Sequence, residues 1–371
     1  MKKVAIVLGT RPEAIKLIPV YLALKQSKQL QPILVSTGQH KEMLHQIFDF
    51  FQIEPDVDLQ LMKSNQTLVE LSSRLMLALG EVYQQHTPDV VIVQGDTTTA
   101  LLAGLVAFYS KIAVCHVEAG LRTFDRFSPY PEEVNRRMIA VAADLHFAPT
   151  ETAGDQLKQE KCDQVHVVGN TVVDSLFSAL EINQGRKPSL EKQFHFLRSG
   201  HRLVLVTGHR RESFGEPFLN ICKAISELSV KYPDLDFVYP VHLNPNVREP
   251  VHAVLGSSEH IHLIDPLPYG DMVYLMSQAH LIMTDSGGIQ EEAPSLDVPV
   301  VVMRDTTERP EGISNGCAVL CGTDQARIME SVERILGSTE VWQKMSEAPN
   351  PYGDGSTSRQ IVAIMEATFH T

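Results

Sequence analysis

Thirteen short apolar, β-branched runs recur along this chain, separated by stretches of helix length, and that alternation leaves few folds open. A strand buried on both faces reads as a near-continuous Val/Ile/Leu run, whereas a strand with one wet face alternates apolar and polar residues. Runs of the first kind, joined by amphipathic helix-length stretches, specify parallel sheets covered on both faces. The first series is 4–9, 31–37, 57–61, 89–95, 112–118, 145–148 and 165–168; the second is 202–207, 236–241, 261–264, 281–284, 299–303 and 317–321. Two doubly wound parallel-sheet α/β domains of similar size, facing a central cleft, are therefore expected. Between the series lies the turn-rich stretch Ile182-Asn183-Gln184-Gly185-Arg186-Lys187-Pro188-Ser189, and the hinge is expected there or a little earlier, at Gly169-Asn170. Set at the earlier point, the domains are 1–170 and 171–356. In open α/β sheets ligands bind outside the carboxyl ends of the strands, so chemistry is sought there.

Composition narrows the partners. The 371 residues exceed a single ordinary core, which holds roughly 100–200. No apolar run approaches the ~18 residues of a membrane span, and the opening strand meets Thr10-Arg11-Pro12 too early for a signal peptide. A cytoplasmic protein with no membrane partner is expected. Cys115, Cys162, Cys222, Cys317 and Cys321 form no C-x-x-C pair and sit in apolar stretches, so reduced core thiols are expected, with neither disulfide nor zinc. A formal net charge of −13 argues against nucleic acid as a partner. An anionic ligand must then be held by local clusters of cations.

Such clusters stand at the predicted strand ends. The densest signal is Thr284-Asp285-Ser286-Gly287-Gly288-Ile289-Gln290-Glu291-Glu292, where a strand ends in a small-residue turn that opens a helix. Unpaired first-turn amides and the helix dipole favour a phosphate there, and the two glutamates can accept from a ribose diol; a capped helix start with acids matching its dipole is the plainer reading. The first strand leads into Gly9-Thr10-Arg11-Pro12-Glu13-Ala14-Ile15-Lys16, with Pro12 suited to a first helical position and Arg11 and Lys16 beside the helix start. Later ends carry Gln94-Gly95-Asp96, His116-Val117-Glu118 and Glu132-Glu133 with Asn135, Arg136 and Arg137. Several carboxylates at one site can remove and return protons; each alone reads equally as a solvated loop acid or a cap, and Glu133 is left in that class. The second series adds Gly208-His209-Arg210-Arg211-Glu212, His242 as either ligand or strand cap, and Arg304 to Glu311. Neither G-x-G-x-x-G nor H-E-x-x-H occurs, so no NAD, metal or other cofactor is expected.

Taken together, these motifs resemble those of the bacterial non-hydrolysing UDP-N-acetylglucosamine 2-epimerases, from residue 4 to about 360. The resemblance implies a glycosyltransferase-B-like pair of Rossmann-like domains, with a C-terminal helix at about 357–371 returning to the first domain. It implies interconversion of UDP-GlcNAc and UDP-ManNAc for surface polysaccharide synthesis, and a homodimer is the expected assembly. Carried over by motif, Arg11, Lys16, His209, Ser286, Gly287, Gly288, Glu292 and Arg309 bind UDP, while Asp96, Glu118, Glu132 and His209 are the catalytic candidates. Leu267 and Met272 stand where the family often has Gln and Phe beside the uracil. A second UDP-GlcNAc, acting as activator, is implied near Gln39, His40 and Gln66. The rivals are a hydrolysing enzyme that releases ManNAc, a retaining glycosyltransferase, and a nucleotide-sugar sensor without turnover.

Overall fold

Val4 to Leu8 carry no polar side chain, and all five are buried in the middle of a sheet, as a strand with helices on both faces requires. That sheet comprises β1 (Lys2–Leu8), β2 (Leu30–Ser36), β3 (Val57–Asp58), β4 (Val90–Gln94), β5 (Ala113–Val117), β6 (Leu145–Ala148) and β7 (Val165–Val167). All its pairings are parallel, in the order β3-β2-β1-β4-β5-β6-β7. The direction of winding reverses between β1 and β4, where such sheets open a crevice at their carboxyl ends.

A second parallel sheet contains β8 (Arg202–Thr207), β9 (Leu235–Pro240), β10 (Ile261–Ile264), β11 (Ala279–Thr284), β12 (Val300–Val302) and β13 (Ala318–Leu320). Its order is β10-β9-β8-β11-β12-β13, with the reversal between β8 and β11. The computed structural model describes residues 1–38, 41–63 and 66–369. The chain divides into two compact units, Met1–Ser178 with Tyr352–Thr371, and Ala179–Pro351. Each has its own apolar core: Val7, Val35, Val91 and Val93 with Leu75 and Leu79 in the first, and Val204, Val206, Phe237 and Met283 with Phe218 and Ile225 in the second.

All thirteen expected runs are strands, with ends displaced by only a few residues. The turn-rich reading of 182–189 is corrected: those residues continue the helix Thr171–Gln193, with Gly185 and Pro188 inside it. Tertiary contacts outweigh local preference there. Asn183 Nδ2 donates to the Gly270 carbonyl (2.6 Å), and Arg186 Nη2 pairs with the buried Asp271 (2.7 Å). The C-terminal helix Thr357–Thr368 packs on the helix Arg11–Lys25 of the first unit, burying Ile361, Val362 and Met365. Thr357 Oγ1 donates to the Val168 carbonyl (3.0 Å), and the Ser358 N–H donates to Asp174 (2.8 Å).

Candidate active site

In the first unit, one buried glutamate ties two strand ends together. Thr10 caps the helix Arg11–Lys25, and Glu13 completes a capping box by accepting from the N–H groups of Gly9 (3.0 Å) and Thr10 (2.7 Å) and the Thr10 hydroxyl (2.8 Å). Its other oxygen accepts from Thr97 Oγ1 (2.6 Å), joining the loop after β1 to the loop after β4 across the reversal point. Burial raises the Glu13 carboxyl above its ordinary pKa, while these four donors pull it down. Arg11 and Lys16 thereby stand on a fixed helix start, and Arg11 is half-buried.

Lys16 Nζ pairs with Glu118 Oε2 at 2.5 Å, and Gln94 Nε2 donates to the same oxygen. Glu118 follows β5 in a left-handed conformation (φ 58°), strain that the surrounding contacts must hold. Gly120 follows at φ 97°, where an added Cβ would lie 2.2 Å from the Ala153 carbonyl oxygen. His116 is fully buried, its pKa lowered to about 3 chiefly by desolvation, so the neutral ring donates from Nε2 to the Gly95 carbonyl (2.7 Å). Asp96 pairs with Arg136 Nη2 (2.6 Å), and Asn135 Nδ2 donates to the Asp96 carbonyl (2.9 Å). Glu132 is the half-buried first residue of the helix Glu132–Ala142. Its neighbour Glu133 is fully buried rather than solvated. It accepts from the N–H groups of Thr123 (2.9 Å) and Phe124 (3.2 Å), so it anchors the loop before the helix.

In the second unit the sequence Thr284 to Glu292 forms the expected strand, turn and helix. Ser286 is the N-cap of Gly287–Glu292, and its N–H donates to Thr284 Oγ1 (2.9 Å). An added Cβ on Gly287 would come within 3.1 Å of the Arg309 guanidinium, so a larger residue there would push that side chain aside by a few tenths of an ångström. Arg309 Nε donates to Glu291 Oε1 (2.9 Å), so Glu291 holds Arg309, while Glu292 accepts from the Tyr269 hydroxyl (2.9 Å) through one of its two carboxylate oxygens. Arg304 grips Glu308 through two nitrogens (2.9 and 3.2 Å) and also pairs with Glu212 (3.0 Å). Burial would raise the Glu308 carboxyl, but the Arg304 fork outweighs it and brings the pKa to about 2. His209 follows β8 beside the buried Asp285. Leu267 and Met272 are half-buried, on the loop after β10 and at the start of the helix Tyr269–Gln278.

The structure thus gathers Lys16, Asp96 and Glu118 with Gln94 and Arg136 at the strand ends of the first unit. It gathers His209, Ser286, Gly287, Gly288, Glu292 and Arg309 at those of the second. Gln66, at the entry to the helix Leu68–His86, accepts from the Lys63 N–H (3.3 Å); Gln39 and His40 lie outside the described residues. The roles of Gln94 and Asp285 were missed, although both occupied the right motifs, because which atom a side chain meets across strands is set by tertiary pairing. Among the described residues no group of three His, Cys, Asp or Glu is arranged to hold a metal.

Comparison with known proteins extends this geometry. The model of the UDP-N-acetylglucosamine 2-epimerase family matches residues 22–366. UDP-N-acetylglucosamine 2-epimerase of Bacillus subtilis is 47% identical, over 99% of this chain and 95% of that protein. The crystal structure of UDP-GlcNAc 2-epimerase from Neisseria meningitidis bound to UDP-GlcNAc aligns with a TM-score of 0.92 at 47% identity, covering 98% of this chain and 100% of that one. MurG of Acinetobacter baumannii, at 14% identity and a TM-score of 0.61 over 99% and 100% of the two chains, shares the glycosyltransferase-B-like fold alone. With its strand-end motifs built as two parallel-sheet units require, and with kinship running the length of the chain, this protein belongs to the UDP-N-acetylglucosamine 2-epimerases, a family of isomerases.

Proposed function

We propose that this chain interconverts UDP-GlcNAc and UDP-ManNAc without hydrolysis, through elimination and readdition of UDP. The observation that carries this reading is the set of fixed carboxylates after β4 and β5: Glu118 held by Lys16 and Gln94, and Asp96 held by Arg136. Carbon 2 of the sugar has no adjacent carbonyl, so its hydrogen becomes acidic enough only as the anomeric C–O bond breaks. UDP leaves with that bonding pair, a carboxylate takes the C2 proton, and 2-acetamidoglucal forms. Return of a proton to the opposite face of C2 and attack of the UDP oxygen on C1 complete the epimerisation. Asp96, Glu118 and Glu132 are the acid and base candidates. Arg11, Lys16, His209, Arg309 and the Ser286-Gly287-Gly288 turn stabilise the departing diphosphate.

The family relative from N. meningitidis was solved with UDP-GlcNAc bound, which supports the same substrate here. A second UDP-GlcNAc near Gln39, His40 and Gln66 as activator, a cytoplasmic location, a homodimer and a role in surface polysaccharide synthesis complete the reading. The test is a proton NMR time course on UDP-GlcNAc in D2O. A mixture with UDP-ManNAc carrying deuterium at C2 is expected. An oxygen-18 label in the sugar–phosphate bridge scrambles into non-bridging positions. Full epimerisation with the bridging label retained overturns elimination, and accumulation of free ManNAc with UDP identifies the hydrolysing reaction instead.

A further inference from the structure

Asp285, in the turn after β11, is fully buried, and its two oxygens have different fates. Oδ2 accepts from the backbone N–H groups of His209 (2.7 Å) and Arg210 (2.8 Å), which pins the loop after β8. Oδ1 has no hydrogen-bond partner among the described residues and lies 3.7 Å from Nδ1 of His209. A buried carboxylate oxygen without a donor is destabilising, and here the ring nitrogen it faces is the donor that can satisfy it.

We propose that Asp285 is a positioning residue for His209: it accepts the Nδ1 proton, presents Nε2 to the ligand, and supports the imidazolium when a diphosphate binds. This rests on the reading that His209 serves the UDP-sugar site.

The groups facing His209 give the assignment its direction. The His242 ring, from the segment after β9, lies 5.2 Å away and within 8° of parallel. Two stacked rings do not share two positive charges readily, so one of the pair stays neutral. His242 Nδ1 accepts from the Asn244 N–H (3.0 Å), whereas His209 Nδ1 faces the Asp285 carboxylate, so of the two rings His209 is the one with a buried acid to support its charge. Arg210 and Glu212 on the loop of His209 supply one opposing and one supporting charge. Burial lowers the pKa of His209, the Asp285 charge raises it, and His242 and Arg210 lower it. Asp285 is therefore the strongest influence keeping His209 able to carry a proton.

Asp285→Asn isolates this role. An asparagine oxygen can still accept from the two backbone N–H groups, while its amide NH2 faces Nδ1 of His209 and favours the opposite tautomer. In the full chain, the His209 ring resonance, assigned with His209→Gln, is expected to titrate about one unit lower in the variant. UDP affinity, followed by calorimetry from pH 5 to 8, is expected to fall about tenfold at neutral pH and to converge with that of the parent protein in acid. In the His209→Gln background Asp285→Asn is expected to add no pH-dependent loss. An unmoved His209 titration, or a loss of affinity equal at every pH, overturns the positioning role. Unchanged UDP affinity in His209→Gln alone instead overturns the site reading beneath it, since the titration needs neither turnover nor ligand.

Discussion

Two acids just past the ends of neighbouring strands of the first unit are held by different cations, and that difference sets what single substitutions do. Glu118 depends on Lys16 and Gln94, whereas Asp96 depends on Arg136. Lys16→Ala takes the Lys16 charge away from the Glu118 carboxylate and from the helix start. A charge-assisted bond contributes roughly 1.5–3 kcal/mol, so kcat/KM is expected to fall about tenfold or more. Lys2→Ala serves as the control, since Lys2 pairs with Asp89 at the surface. Equal kinetics for the two variants would remove Lys16 from the site. His116 makes a different prediction, about pH. Its folded pKa, about 3, lies below the ordinary 6.5, so unfolding takes up a proton once the pH falls below about 6.5. Stability is then full above that pH, declines as the pH falls, and stops responding to this group below its folded pKa. Urea unfolding between pH 6 and 4 is expected to show a shallower decline for His116→Gln than for the parent, by about 1.4 kcal/mol per pH unit. Parallel declines would mean that His116 is not buried neutral.

Elements were legible where one pattern governed a whole run. Val90 to Val93 and Val300 to Val302 read as buried parallel strands and are so, because a two-faced apolar run has few other places to go. Ile182 to Ser189 misled, since Gly185 and Pro188 announce a turn locally while bonds from Asn183 and Arg186 to the segment at Gly270 and Asp271 hold a helix. The C-terminal helix shows the converse, a short element whose stability is tertiary. Thr357–Thr368 buries Ile361, Val362 and Met365 on the first unit and ties Thr357 and Ser358 to Val168 and Asp174. Ending the chain at Pro351 is expected to uncover the apolar surface of the first unit beneath that helix and lower the thermal midpoint by several degrees, with aggregation on heating. An unchanged midpoint would show that the helix adds no stability.

At the scale of the whole molecule, the surface of the first unit carries apolar residues that a solitary chain gains nothing by exposing. Val69 and Leu77 on Leu68–His86 are 75% and 72% exposed, and Phe108 and Tyr109 at the end of Thr98–Tyr109 are 58% and 64% exposed. Light scattering is expected to give twice the 41.3 kDa chain mass, and Val69→Glu with Leu77→Glu to halve it without loss of helix content. A parent protein eluting at the single-chain mass would defeat the dimer. What the sequence alone determined was the strand count, the parallel class and the motifs at the strand ends, because hydrophobic period and turn chemistry are local properties. Tertiary structure decided which acid meets which cation. Glu133 became a buried loop anchor and Glu291 the partner of Arg309, while Asp285 came to face His209 from another strand. Asp285 and His209 stand 76 residues apart in the chain, and only the register of β11 beside β8 brings their atoms within bonding distance.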